Sequence, residues 1–201
     1  KIVPSFNYQD VSPISGKYFV FQGFTGQSKF HVYLINMETG EQKTITKTPE
    51  NISSLNVAGN YAVWMSNTGA EPGIYYCDLK NPELPIVLVH KSKELTFNSA
   101  KIINTVKEQL IVFNDPFDGG IYVYNIVNKT TERINPEDQV GTVPVIFKNK
   151  IVYTARYCTA SEEGRKHNYI KSKGSLVSFD RITRTTEKIL DVVEGDIVFP
   201  K

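Results

Sequence analysis

Four times along the chain a dense apolar run is followed, after a loop, by a run in which apolar and polar positions alternate and which closes on a short polar residue. The dense runs are Tyr18-Phe19-Val20-Phe21, Tyr61-Ala62-Val63-Trp64, Leu110-Ile111-Val112-Phe113 and Ile151-Val152-Tyr153. They are rich in β-branched and aromatic residues and too short for helices, which suits strands buried on both faces. The closing residues are Asn36, Asp78, Asn125 and Asp180. A side-chain oxygen at such a position can accept a hydrogen bond from the backbone N–H two residues on, so the four mark the start of one recurring hairpin turn.

A polar segment follows each turn, as in Gln42-Lys43-Thr44-Ile45-Thr46 and Thr131-Glu132-Arg133-Ile134. A short segment also precedes each dense run and ends at a turn signal such as Ala58-Gly59-Asn60 or Lys148-Asn149-Lys150. Each unit therefore predicts four strands, the last one polar because it faces water. The marks recur at about 42 to about 55 residues, the range expected of four-stranded propeller blades. The predicted fold class is all-β: one β-propeller domain of four blades, each of four antiparallel strands. The blades are placed at residues 8–46, 52–90, 98–135 and 141–190, with residues 1–7 and 191–201 completing the ring. Strand-like segments at both ends, 1–6 and 195–199, are expected to close it by pairing, because closure removes exposed strand edges. An arc of a six- or seven-bladed ring is the second choice.

Composition narrows the function classes. The 201 residues are 40% hydrophobic and 22% charged, with no apolar run near the roughly 18 residues needed to span a bilayer. Membrane insertion is not expected. The 23 basic and 21 acidic residues are spread through the chain for a net charge of +2, which leaves no electrostatic footprint for nucleic acid. Cys77 stands one residue before a turn mark, where the other units carry Ile35, Tyr124 and Phe179, so it reads as a small buried hydrophobe. Cys158 lies two units away, which argues against a Cys77–Cys158 disulfide or a shared metal. The chain starts at Lys1 rather than methionine, and Asn51-Ile52-Ser53 and Asn128-Lys129-Thr130 match the glycosylation sequon. The start fits either a trimmed chain or a mature form whose signal peptide has been removed, and the sequon is short enough to add little; an extracellular or cell-surface location is the expectation.

The segments IYVYNIVNKTTERI, VYLINMETGEQKTI and SLVSFDRITRTTEKI resemble the blades of TolB-like and dipeptidyl-peptidase-type β-propellers, and the resemblance extends in weaker form over nearly the whole chain. It implies the architecture. Propellers of this kind bind proteins, gate proteases or serve as surface modules, so it leaves the activity open.

In such a fold the loops between the second and third strands share a face with the blade-to-blade connectors. Here those are the long ones, residues 22–29, 66–73, 114–120 and 156–173, with connectors 91–97 and 135–140. Long loops on a rigid scaffold carry function more often than tight turns do. The reading preferred is a non-catalytic module that binds a protein or small ligand through Phe24, Phe97, Phe117, Arg156, Tyr157, His167 and Tyr169, since aromatic and arginine side chains anchor interfaces. A monomer is favoured. The alternative is a hydrolase pairing Asp115 or Asp118 with Glu162 or Glu163, although all four fall in polar loops with nothing obvious to desolvate them. No G-x-S-x-G occurs, and His31, His90 and His167 fall on three different blades, the first two read as packed or edge residues. Residues 114–120 resemble part of a calcium loop without its regular ligand spacing, so they read as a turn with exposed acids. No cofactor is expected beyond an ion that backbone groups could hold in the central channel.

Overall fold

The computed structural model describes residues 8–11, 16–26, 29–48, 50–67, 71–81, 83, 86–91, 104–107, 109–115, 118–159, 168–169 and 174–191. Among them there is no helix, and the strands form four antiparallel sheets. Sheet 1 contains β1 (Tyr8–Val11), β2 (Tyr18–Gly26), β3 (Lys29–Asn36) and β4 (Gln42–Thr44). Sheet 2 contains β5 (Ile52–Ala58), β6 (Tyr61–Ser66), β7 (Gly73–Asp78) and β8 (Val87–Lys91). Sheet 3 contains β9 (Asn104–Lys107), β10 (Leu110–Asp115), β11 (Gly120–Asn125) and β12 (Thr130–Arg133). Sheet 4 contains β13 (Gln139–Phe147), β14 (Lys150–Thr159), β16 (Ser175–Asp180) and β17 (Thr186–Asp191), with β15 (Asn168–Tyr169) paired to the end of β14. Within each sheet the strands lie in chain order.

The four polar marks do what their chemistry predicts. Asn36 Oδ1 accepts the N–H of Glu38 at 3.0 Å, Asp78 Oδ1 that of Lys80 at 3.0 Å, Asn125 Oδ1 that of Val127 at 2.9 Å and Asp180 Oδ1 that of Ile182 at 2.8 Å. In three of the turns the carbonyl of the mark also accepts from the residue four on, Gly40, Lys129 or Arg184, and that residue has φ between 57° and 72°. The carboxyl of Asp180 is held below the usual range by the Thr183 and Ile182 amides.

The dense runs of sheets 2 and 3 are buried on both faces because each of these sheets packs between two others, while sheets 1 and 4 each have one described neighbour. Their alternation divides each second strand into two rows. One row contains Trp64 in β6, Phe113 in β10 and Tyr153 in β14, and it faces the preceding sheet. The other contains Val20, Val63 and Val112, each 0% exposed, and it faces the following sheet. Three apolar cores result, one at each seam between consecutive sheets. Cys77 lies in the first, 2% exposed, and burial pushes its thiol up to about 12. It is free, as its register predicts.

Two loop boundaries differ from the sequence reading. β2 and β3 run through most of the expected loop 22–29, because Phe24 pairs with Phe30 across the hairpin and the two rings sit 5.4 Å apart. β14 continues past Arg156 to Thr159, where Cys158 and Thr159 pair with Tyr169 and Asn168 in an additional two-residue strand. The terminal segments 1–6 and 195–199, on which closure was expected to depend, lie outside the described residues.

Candidate functional site

Polar chemistry gathers at the seam between sheets 2 and 3, at the end that carries the long loops. Asp115 closes β10 two residues after Phe113, so period-two geometry sets both side chains toward sheet 2. Opposite them is His90 of β8. Its Nε2 lies 2.7 Å from Asp115 Oδ2, and its ring centroid is 5.1 Å from those of both Phe113 and Tyr122. Phe113 and Tyr122 are a registered pair on β10 and β11, stacked at 5.5 Å. The imidazole therefore rests on an aromatic shelf and is oriented by a buried carboxylate. The Asp115 side chain is 6% exposed and that of His90 21%. Among the described residues the other ring nitrogen, Nδ1, has no hydrogen-bond partner, which leaves it available to a ligand.

A second carboxylate sets the loop beside this pair. Asp118 Oδ1 accepts the Gly120 N–H at 2.7 Å, and Oδ2 accepts the hydroxyl of Tyr122 and lies 3.8 Å from the Arg133 guanidinium. Arg133 and buried Asn135 then tie the loop to the connector leading to sheet 4. Asn135 Nδ2 donates to the carbonyls of Gly119 and Gln139 at 3.0 and 2.8 Å, its Oδ1 accepts from Ile121 at 2.6 Å, and Arg133 Nε donates to the Asn135 carbonyl at 3.1 Å. Gly119 adopts φ +69°, a conformation that favours glycine. Residues 118–120 of the long loop are thus held to the third and fourth sheets by hydrogen bonds, those of Asp118 charge-assisted.

Tyr122 reports the electrostatics of this corner. Burial first, then the hydrogen bond to Asp118 and its charge, push the phenol up to about 12, against an opposing pull from Arg133. The folded state favours the neutral phenol, so this stabilisation is complete below the ordinary tyrosine value of 10.0 and is lost as pH rises from there toward 12. Tyr122→Phe is accordingly expected to reduce the fall in the urea midpoint across that alkaline window. A slope identical to that of the parent protein would show that the phenol does not titrate as its surroundings dictate.

The sequence reading placed Asp115 and Asp118 in a turn with exposed acids; the structure buries the first and half-buries the second. Each is committed to its own partner rather than facing another carboxylate. Glu162 and Glu163 lie outside the described residues. So do Phe97, Phe117 and His167. Tyr157 and Tyr169 occupy strand positions on β14 and β15, Arg156 is half-buried and pairs in register with Val140, and Phe24 packs on the first core. Of the binding residues expected from sequence, Arg156, Tyr157 and Tyr169 are neighbours on β14 and β15 and Phe24 lies apart in sheet 1, whereas Tyr122 and Arg133 were not singled out and His90 was read as a packed or edge residue. The signal for Asp115 was its phase with Ile111 and Phe113. For His90 there was none, since its partner lies 25 positions away in another sheet.

Among the described residues no group of three or more His, Cys, Asp or Glu side chains is placed to hold a metal ion, and no helix is long and apolar enough to cross a membrane. Of the two sequons, Asn51 is buried at 7% exposure and Asn128 lies exposed in the β11–β12 turn. The tight-turn face has a cleft of about 530 Å³ lined by Lys17, Tyr18, Glu38, Asn60 and Lys80, in which Lys17 and Glu38 pair at 3.5 Å.

No family model matches the chain, and no curated protein does. Solved structures do. The β-propeller domain of the Trilobed protease from Pyrococcus furiosus, described as having an open velcro topology, is 13% identical with a TM-score of 0.59, over 94% of this chain and 59% of that one. TolB from Acinetobacter baumannii is 14% identical with a TM-score of 0.57, over 92% and 44%. A puromycin-hydrolyzing peptidase from Mycobacterium tuberculosis is 9% identical with a TM-score of 0.63, over 95% and 30%. At such identities the likeness establishes the fold, a β-propeller of the TolB-like and peptidase type. The chain spans less than two thirds of each of these structures.

Proposed function

Starting from that TolB-like, peptidase-type propeller fold, we propose that the chain is a non-catalytic binding module that engages a peptide segment of another protein at the seam between sheets 2 and 3, on the long-loop face. One observation carries the reading: the partly exposed His90 ring is held by Asp115 at 2.7 Å and shelved on Phe113 and Tyr122. A ring preset in this way offers a ligand one hydrogen-bonding nitrogen and an aromatic surface without a further ordering cost, which favours affinity. Both nearby carboxylates already have partners, which disfavours the hydrolase reading that pairs one carboxylate with another. An extracellular or cell-surface location belongs to the same proposal, as does use of the long-loop face as a whole.

Selection of a phage-displayed peptide library on the immobilised chain tests it. Selected peptides are expected to bind His90→Ala at least about tenfold more weakly, a loss of about 1.4 kcal/mol, and to bind Lys80→Glu, on the tight-turn face, with unchanged affinity. Peptides indifferent to His90→Ala, or lost with Lys80→Glu, would place recognition elsewhere.

A further inference from the structure

The forward rows of the four second strands are equivalent in register. Val20, Val63 and Val112 are each 0% exposed because a following sheet covers them. Val152 holds the same position in sheet 4 and is only half-buried. Around it on the same face, register brings Val145 beside Val152 and Leu190 beside Leu176, with Phe147 two residues beyond Val145. Val145, Phe147 and Leu190 are 45%, 62% and 59% exposed. Thr154 and Ser178 of this face are buried, so its open surface lies toward β13 and β17. The chemistry that joins consecutive sheets elsewhere is repeated here without a described sheet against it. Exposed apolar surface of this kind marks an interaction site.

We propose that this face of sheet 4 is an interface, and that its occupant is a second copy of the same chain, packed face to face about a two-fold axis. A head-to-tail arrangement would need the opposite, rearward face of sheet 1, but that face is already covered: Phe21, Tyr33 and Ile35 are 0%, 7% and 4% exposed. That leaves the face to meet its own copy in this proposal, an isologous contact that closes at two copies. The charges of the face suit this. Lys150 and Glu187 share it and pair at 3.7 Å, both substantially exposed, so each copy presents both signs and the pairs can be exchanged across the axis.

Sedimentation velocity over a concentration series decides the matter. The expected result is a monomer–dimer equilibrium built on the 22.7 kDa chain, with dimerisation weakened at least about tenfold, or about 1.4 kcal/mol, by Phe147→Glu. Leu190→Glu, at an exposed outer-strand position that tolerates charge, is expected to do the same with an unchanged circular dichroism spectrum and melting temperature. A monomer at every concentration would overturn the proposal, as would a dimer indifferent to both substitutions. An intramolecular disulfide formed in the monomer between Phe21→Cys and Val152→Cys would also overturn it, because the ring would then close within one chain.

Discussion

Replacing Trp64 with alanine is expected to remove about 3–5 kcal/mol from the unfolding free energy, the cost typical of truncating a large aromatic side chain in a packed core. Trp64 is 1% exposed and belongs to the apolar cluster that joins sheet 1 to sheet 2. Its ring lies 6.3 Å from that of Tyr75 at an interplanar angle of 19°, and Val20, Val32 and Leu34 of sheet 1 belong to the same cluster. The cavity cannot be filled by a flexible neighbour, since the side chains around it are mostly β-branched or aromatic. Trp64→Phe separates two causes. It keeps most of the buried surface and removes an indole N–H that has no hydrogen-bond partner among the described residues, so it is expected to cost less than half as much. Urea unfolding followed by circular dichroism is the appropriate measurement, because Trp64 is the chain's one tryptophan and its own fluorescence is lost. In a stack of sheets that each contact only their neighbours, the loss is expected to appear first as separation of sheet 1 from the rest. A Trp64→Ala protein with a parental midpoint would mean that the seam between sheets 1 and 2 contributes little to cooperativity.

What could be read from the sequence was local. The turn marks Asn36, Asp78, Asn125 and Asp180 were legible because an Asx oxygen and the amide two residues on are set by the chain itself. The faces of the dense runs were legible because strand periodicity leaves only two choices, and burial on both sides follows when neither row is polar. Loop ends were less legible. Phe24 and Arg156 read as loop residues, yet each lies on a strand, because hairpin length is decided by cross-strand pairs such as Phe24 with Phe30 that are visible only once register is known. The site at the seam of sheets 2 and 3 was the least legible. Nothing in VLVHK or in FNDPFDGG says that His90 and Asp115 meet, since their contact depends on how one sheet packs on the next. The exposure predicted for Asp115 failed for the same reason.

The spacing between β7 and β8 ties this site to the fold, and Gly73→Ala is expected to break both. Gly73 is buried at the start of β7, beside the bulge between Ile74 and Tyr75 where β8 crosses. A Cβ there would lie 2.2 Å from the carbonyl oxygen of His90 and 2.7 Å from Cδ1 of Leu88. The leucine can rotate away. The carbonyl cannot, because it belongs to the strand, so β8 must move as a unit and carry the His90 ring with it. Overpacking of this kind typically costs about 1–3 kcal/mol, equivalent to a fall of about 2–12 °C in melting temperature for a domain of this size. The displaced imidazole would lose its 2.7 Å contact with Asp115, and library-selected peptides should then bind as weakly as they do to His90→Ala. Gly174→Ala is the matched control: the nearest atom to its added Cβ is Arg156 Nε at 3.6 Å, an ordinary contact, so stability within about 0.5 kcal/mol of the parent is expected. If Gly73→Ala melts and binds like the parent, the edge of sheet 2 yields without strain. His90 would then not be held by the fold, and its pairing with Asp115 could not be the source of a preset site.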